Sequence, residues 1–213
     1  MSFEGRIKRT IIGISGKIGS GKTTTAIKLG KLFEGQGGKR FHVEQMAFAD
    51  PLKRATAKLY GFPLEWCYSR TGKARTIESE NMTVGQLLQC FATMMRKAFG
   101  EDFWARRLAE FVEECTEAYR AEASAEHLVV IISDVRYYNE AEMLRAMNGV
   151  IVRLNGDPAG ERKICSRDLM HVSEVDLDDY AHFLAVVDTD KNDAKTTAEL
   201  LFNGQTLDDK GGV

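Results

Sequence analysis

Along this chain, short apolar runs alternate with longer segments whose apolar positions recur every third or fourth residue, the pattern of strands feeding helices. Residues 10–15 read as a strand, and Ala26, Ile27, Leu29, Leu32 and Phe33 as the buried stripe of a helix ended by Gly35-Gln36-Gly37-Gly38. Residues 41–48 predict a second strand. Asp50-Pro51 predicts a helix start reaching about Tyr60, since Asp caps and Pro is tolerated in the first turn. Residues 61–82 read as an irregular, mobile basic loop around Arg70, Lys73 and Arg75. From Thr83 the period returns, with Val84, Leu87, Leu88, Phe91, Met95, Ala98 and Phe99 on one face and Gln86, Gln89, Thr93 and Arg96 along a polar stripe. A further helix is predicted over about 102–123.

The run Leu128-Val129-Val130-Ile131-Ile132-Ser133 is apolar throughout, as a parallel strand buried on both faces requires, and it delivers Asp134-Val135-Arg136 at its end. A short helix (140–147), a strand (150–154), a polar stretch (155–180), a strand (183–187) and a helix (194–202) complete the prediction, with fraying from Gln205. The fold class is therefore α/β: a three-layer, parallel five-stranded sheet with helices on both faces. The predicted core covers about 8–60 and 127–204, with a helical insertion over about 61–126 and a lid over about 156–180.

The chain of 213 residues carries a net charge of −2, so no global field draws it to a nucleic acid polymer or an anionic membrane. Its four cysteines form no CxxC pair and no zinc-ligand spacing; they read as reduced and structural, with Cys90 and Cys115 in apolar helical patterns. No leader peptide or membrane span is expected, and the expected location is the cytoplasm, a host's if the protein is viral.

Between the first strand and its helix stands Gly16-Lys17-Ile18-Gly19-Ser20-Gly21-Lys22-Thr23, a phosphate loop in the strand–loop–helix setting that it needs. Its glycines allow successive N–H groups to face phosphate oxygens, and the helix N-terminus adds positive potential. Gly16, Lys17, Gly19, Ser20, Gly21, Lys22, Thr23 and Thr24 are thus expected to bind ATP, with Lys22 on the β/γ-phosphates and the Thr23 hydroxyl on Mg²⁺. A GTPase would favour Asn-Lys-x-Asp after a late strand, and Asp188-Thr189-Asp190-Lys191 does not fit.

Transfer to a second phosphate requires cations to offset anion repulsion and a lid to exclude water. Arg162, Lys163 and Arg167 suit the lid, with Arg162 and Arg167 stabilising the transition state beside Lys22 and Arg136. Arg136 suits the acceptor phosphate, and Asp134 metal or water positioning. Gln86, Gln89, Thr93 and Arg96 could read an acceptor base, with Trp104 either a stacking platform or a core residue.

Phe48-Ala49-Asp50-Pro51-Leu52-Lys53, Leu87-Leu88-Gln89 through Phe103-Trp104, Asp134-Val135-Arg136 with Asn139-Glu140, and His171-x-Ser173-Glu174 together resemble deoxynucleoside monophosphate kinases of the bacteriophage type. The resemblance covers about 10–203 and implies transfer of the ATP γ-phosphate to a deoxynucleoside monophosphate by a homodimer. It implies that Asp50, Lys53, Gln89, Arg96 and Arg136 line the monophosphate site, that Glu140 and Glu174 belong to the substrate site, and that the segment Val187-Asp188-Thr189-Asp190, with Asp188 and Asp190, lies near the adenine. Val84-Gly85-Gln86 and Ala92-Thr93 depart from the pattern, where such helices often carry Arg and Gly-Thr. Two alternatives stay open: a P-loop kinase for another small acceptor, such as dephospho-coenzyme A or a nucleoside, and a module that hydrolyses ATP without an acceptor.

Overall fold

The computed structural model describes residues 8–35, 41–122, 127–158, 160 and 172–208. In chain order its regular elements are β1 (Lys8–Gly16), α1 (Lys22–Glu34), β2 (Phe41–Met46), α2 (Asp50–Tyr60), α3 (Arg70–Lys73), β3 (Thr76–Ile77), β4 (Met82–Thr83), α4 (Val84–Phe99) and α5 (Phe103–Glu122). They continue as β5 (His127–Val135), α6 (Tyr138–Ala146), β6 (Val150–Asn155), α7 (Val172–Val175), β7 (Ala185–Asp188) and α8 (Ala194–Asp208). The chain divides into two compact units, one of residues 1–47 and 111–213, the other of residues 48–110.

The first unit holds the five-stranded parallel sheet, in the order β2-β5-β1-β6-β7. Leu128 through Ile132 are wholly buried, because β5 lies inside the sheet and has neighbours on both faces. Strand alternation then sorts the side chains. Ile12, Ile14, Val129, Ile131, Val152 and Leu154 pack with Ala26, Leu29 and Phe33 of α1 and with Ala198 and Leu201 of α8. On the opposite face of β1, Arg9 bonds Glu113 (2.6 Å) and Thr116 (3.3 Å) of α5, while Gly13 lies under Leu144 of α6. The sheet is α/β and covered on both sides, as its apolar runs demand.

Gly13 is a packing requirement. A Cβ there would stand 2.6 Å from Leu144 Cδ1 and 3.0 Å from Val135 Cγ2, and both side chains are buried. Gly13→Ala is expected to cost about 1–3 kcal/mol through overpacking, read as a lower urea midpoint at unchanged m-value. An unchanged midpoint would mean that the α6 contact yields freely.

The second unit gathers Leu52, Ala57, Phe62, Cys67, Val84, Leu87, Leu88 and Trp104 into its own core. That cluster explains why α2, expected in the sheet core, belongs here: its apolar side packs against α4. Thr83 caps α4, with the Gln86 N–H donating to Thr83 Oγ1 (3.2 Å) and the Thr83 N–H to Gln86 Oε1 (2.8 Å). The segment expected to be irregular contains α3 and the β3–β4 hairpin, both too short to show a hydrophobic period.

Other boundaries differ by identifiable causes. β5 extends to Val135, so Asp134 lies within a strand. Strand pairing with β6 begins β7 at Ala185. α8 continues to Asp208, beyond the expected fraying point. Cys67 is fully buried, whereas Cys90 is exposed and Phe99 is 57% exposed, so the apolar stripe of α4 is narrower toward its C-terminus. Among the described residues no helix is long and apolar enough to cross a membrane.

Candidate functional site

The loop between β1 and α1 is shaped by close approach. At Gly16 a Cβ would sit 2.6 Å from the backbone oxygen of Leu154 on β6, so only glycine lets the loop leave the sheet there. The Ser20 N–H bonds Lys17 O (3.2 Å), and Gly21 caps α1 in the left-handed region at φ 82°. The loop thus ends on the helix N-terminus, whose positive potential favours an anion.

Lys22 is held inside this turn. Its Nζ donates to Gly16 O (2.6 Å) and Lys17 O (2.7 Å), and the residue is only 8% exposed. Burial, followed by the nearby Arg136 guanidinium, pulls its pKa down to about 7, against the opposing attraction of Glu174 and Asp134. An unfolded lysine keeps its proton up to about 10.4, so between these values the unfolded chain binds the additional proton. Lys22 therefore weakens the fold most below pH 7, and less as the pH rises toward 10.5. Lys22→Met, uncharged throughout, should lose about 3 kcal/mol of stability relative to the parent between pH 6 and pH 9.5. Paired urea melts at the two pH values measure this, and a difference independent of pH would contradict the buried ammonium.

Arg136, just beyond β5, lines the same cavity as the loop. This space of about 480 Å³ is bordered by Ile18 through Thr25, Arg136, Pro158, Thr189, Asn192, Asp193 and Ala194, a size typical of small-ligand sites. Thr23 and Thr24 are exposed at its head. Its chemistry is that of an anion cradle: loop backbone, an ammonium, a guanidinium and a hydroxyl suited to a hard cation. Arg153, buried on β6, donates to Ser15 Oγ (3.0 Å) and Asp178 Oδ1 (2.6 Å), while the other oxygen of Asp178 takes Lys17 Nζ (2.6 Å). Lys17 is thus tied to Asp178.

Three acidic candidates stand differently from expectation. Glu140 is buried and accepts from the N–H groups of Arg136 (2.8 Å) and Tyr137 (3.1 Å), so it caps α6 and fixes the turn carrying Arg136. Asp188 pairs with Lys191 and accepts the Asp190 N–H, while Asp190 accepts the Asp157 N–H (2.7 Å). Neither Asp188 nor Asp190 is among the cavity's lining residues; their neighbours Thr189, Asn192 and Asp193 are. Thr189 belongs to the 187–190 segment expected near the adenine, whereas Pro158, Asn192 and Asp193 are lining residues that the sequence pattern does not single out. Only Asp193 had a local signal, its place before a helix, where it accepts the Thr196 N–H (2.7 Å). Asp134 lies partly buried on β5 and acts electrostatically on Lys22. Arg162, Lys163, Arg167 and His171 lie outside the described residues.

In the second unit, Asp50 Oδ1 accepts from Lys53 Nζ (3.0 Å) and from Tyr68 OH (2.9 Å), and Lys53 lies over the Tyr68 ring. The structure thus brings Asp50 and Lys53 together and adds Tyr68, which sequence reading passed over. Gln89 and Thr93 are exposed on α4, and Arg96 is half-buried. Trp104, a candidate platform, is a core residue instead: 5% exposed, bonded through Nε1 to Ala92 O (3.3 Å) and edged by Phe103.

No family model matches the chain. A protein of Acanthamoeba polyphaga mimivirus named "Putative deoxynucleotide monophosphate kinase" is 26% identical over 171 residues, covering 78% of this chain and 81% of that protein. Among solved structures, shikimate kinase from Acinetobacter baumannii in complex with shikimate aligns over 97% of both chains at 14% identity, with a TM-score of 0.42. The Mycobacterium tuberculosis APS kinase in complex with AMPPNP and APS aligns over 93% of this chain and 98% of that one, at 12% identity and a TM-score of 0.43. Neither of these two likenesses bears on substrate; the architecture is read from the sheet itself.

Proposed function

We propose that this chain is an ATP-dependent phosphotransferase that moves the γ-phosphoryl group to a deoxynucleoside monophosphate, giving the diphosphate and ADP. The observation that carries the donor half is the meeting of the phosphate loop, the Lys22 ammonium and the Arg136 guanidinium in one cavity at the head of α1. The acceptor half is supported by the motifs shared with phage-type kinases and by the name of the mimivirus relative.

In this reading an acceptor phosphate oxygen forms the new bond to the γ-phosphorus as the bond to the β–γ bridging oxygen breaks. The attacking oxygen is already anionic, so no protein base is needed and the protein contributes position and charge. Lys22 and Arg136 stabilise the transferring group, and Arg162 and Arg167 are proposed to join them. The exposed Thr23 hydroxyl fits a hard cation, and with Asp134 it would hold Mg²⁺, which when bound neutralises charge on the β- and γ-oxygens. Asp50, Lys53, Gln89, Thr93 and Arg96 are proposed for the acceptor, and a homodimer for the assembly.

A coupled ADP-release assay with ATP and Mg²⁺ against ribo- and deoxynucleoside monophosphates tests this. Turnover that depends on particular deoxynucleotides supports it and names the base. ADP release that ignores every acceptor would identify an ATP hydrolase, and release only with dephospho-coenzyme A or a nucleoside would redirect the acceptor.

A further inference from the structure

Glu174 does something that neither the phosphate loop nor the acceptor reading requires of it. It stands on α7, 3% exposed, and both of its oxygens are engaged. Oε2 accepts the N–H of Ile18 in the phosphate loop (2.7 Å), and Oε1 pairs with Arg136 Nη1 (2.5 Å). Arg136 Nη1 also reaches Ser173 O (3.4 Å). One carboxylate therefore joins the loop to the guanidinium that lines the same cavity. A substrate contact is a poor account of it, because a carboxylate turned toward phosphates would repel them and both oxygens already have partners.

We infer that Glu174 is a positioning residue: it sets the phosphate loop and Arg136 in one fixed relation, so that both meet the same phosphoryl group. Neighbouring residues brace the same region. Asp176 accepts the Tyr138 N–H (2.6 Å) at the start of α6, and Asp178 holds Lys17 Nζ (2.6 Å). Two carboxylates from one short segment thus grip consecutive loop residues, Lys17 by its side chain and Ile18 by its backbone. The Ile18 contact is the less exposed of the two, so competing water and salt weaken it less, and its loss is expected to be felt in the chemistry.

The inference rests on the reading of this loop as a triphosphate site, and its test separates the two. Amide hydrogen exchange and the ¹H–¹⁵N resonance of Ile18 are followed with no nucleotide present, in the parent and in Glu174→Gln, which keeps the side chain's size but not its charge. The Ile18 amide is expected to shift and to exchange at least about tenfold faster in the variant. Turnover per folded molecule should fall about 10²-fold, as displaced reacting groups do, with Glu174→Asp between the two. An Ile18 amide that is unmoved, or turnover unchanged in Glu174→Gln, overturns the inference. If the variant fails to fold, the parent alone decides. The Ile18 resonance is expected to follow a carboxyl titration below the ordinary glutamate range, because burial pushes the Glu174 carboxyl up but the Ile18 N–H, Arg136 and Lys22 together pull it further down. A parent that binds no ATP would instead defeat the triphosphate reading, and the exchange result would still report on the Glu174 contact.

Discussion

Lys22→Ala is expected to lower phosphoryl transfer by about 10³-fold or more while leaving the sheet intact. Single donors aimed at developing charge contribute about 10²–10³ in rate, and cations on a transferring phosphoryl group reach about 10³–10⁵. The ammonium is already inside the loop, 2.6 Å from Gly16 O, and needs little reorganisation to meet a phosphate. Its loss also removes a desolvated charge from a buried position, so the fold should not suffer in proportion to the activity. Single-turnover rates beside a thermal melt measure both. A variant with near-normal rate would mean that the loop does not handle the reacting phosphates.

Arg136→Ala is expected to damage stability and chemistry together. From sequence alone, Arg136 looked like an acceptor contact whose removal would spare ATP binding. Two features of the structure argue for a broader effect. Arg136 lines the cavity of the phosphate loop, and its guanidinium is the ionic partner of the buried Glu174. Removing one member of a buried pair costs about 3–5 kcal/mol, because the remaining charge stays desolvated; some solvent access on the Arg136 side (23% exposed) favours the lower figure. The expected result is a melting temperature lower by roughly 10 °C, a fall in turnover of at least about 10²-fold, and weakened ATP affinity. Arg136→Ala combined with Glu174→Ala should recover part of the stability and none of the turnover, which a double-variant cycle would show. A stable Arg136→Ala that binds ATP normally would restore the simpler acceptor-only role.

The phosphate loop could be read because its chemistry is local: glycines at strained or crowded positions, a lysine, a hydroxyl and a helix start fall within eight consecutive residues, 16–23. The parallel sheet could be read for a similar reason, since burial on both faces removes polar residues from a strand, as over Leu128–Ile132. Pro51 in the first turn of α2 and the end of α4 before Gly100 carried equally local signals, whereas Asp50 does not cap α2: Ala49 holds the cap position and the Asp50 carboxylate takes Lys53 and Tyr68.

Roles that depend on partners far along the chain were not legible. Glu140 and Glu174 are both glutamates near helices, and nothing in their neighbours says that one caps a turn while the other spans 156 residues to reach the Ile18 amide. Trp104 offered an aromatic face, and only the packing of α4 against the start of α5 buried it. The depressed pKa of Lys22 likewise follows from burial and from Arg136, which β5 delivers to the loop. By itself the sequence determined the sheet, the loop and the anion chemistry, because strand periodicity and turn sterics act over a few residues. The tertiary structure decided which charges meet, because electrostatic and packing energies depend on distance in space, and residues remote in sequence become neighbours only when the sheet closes.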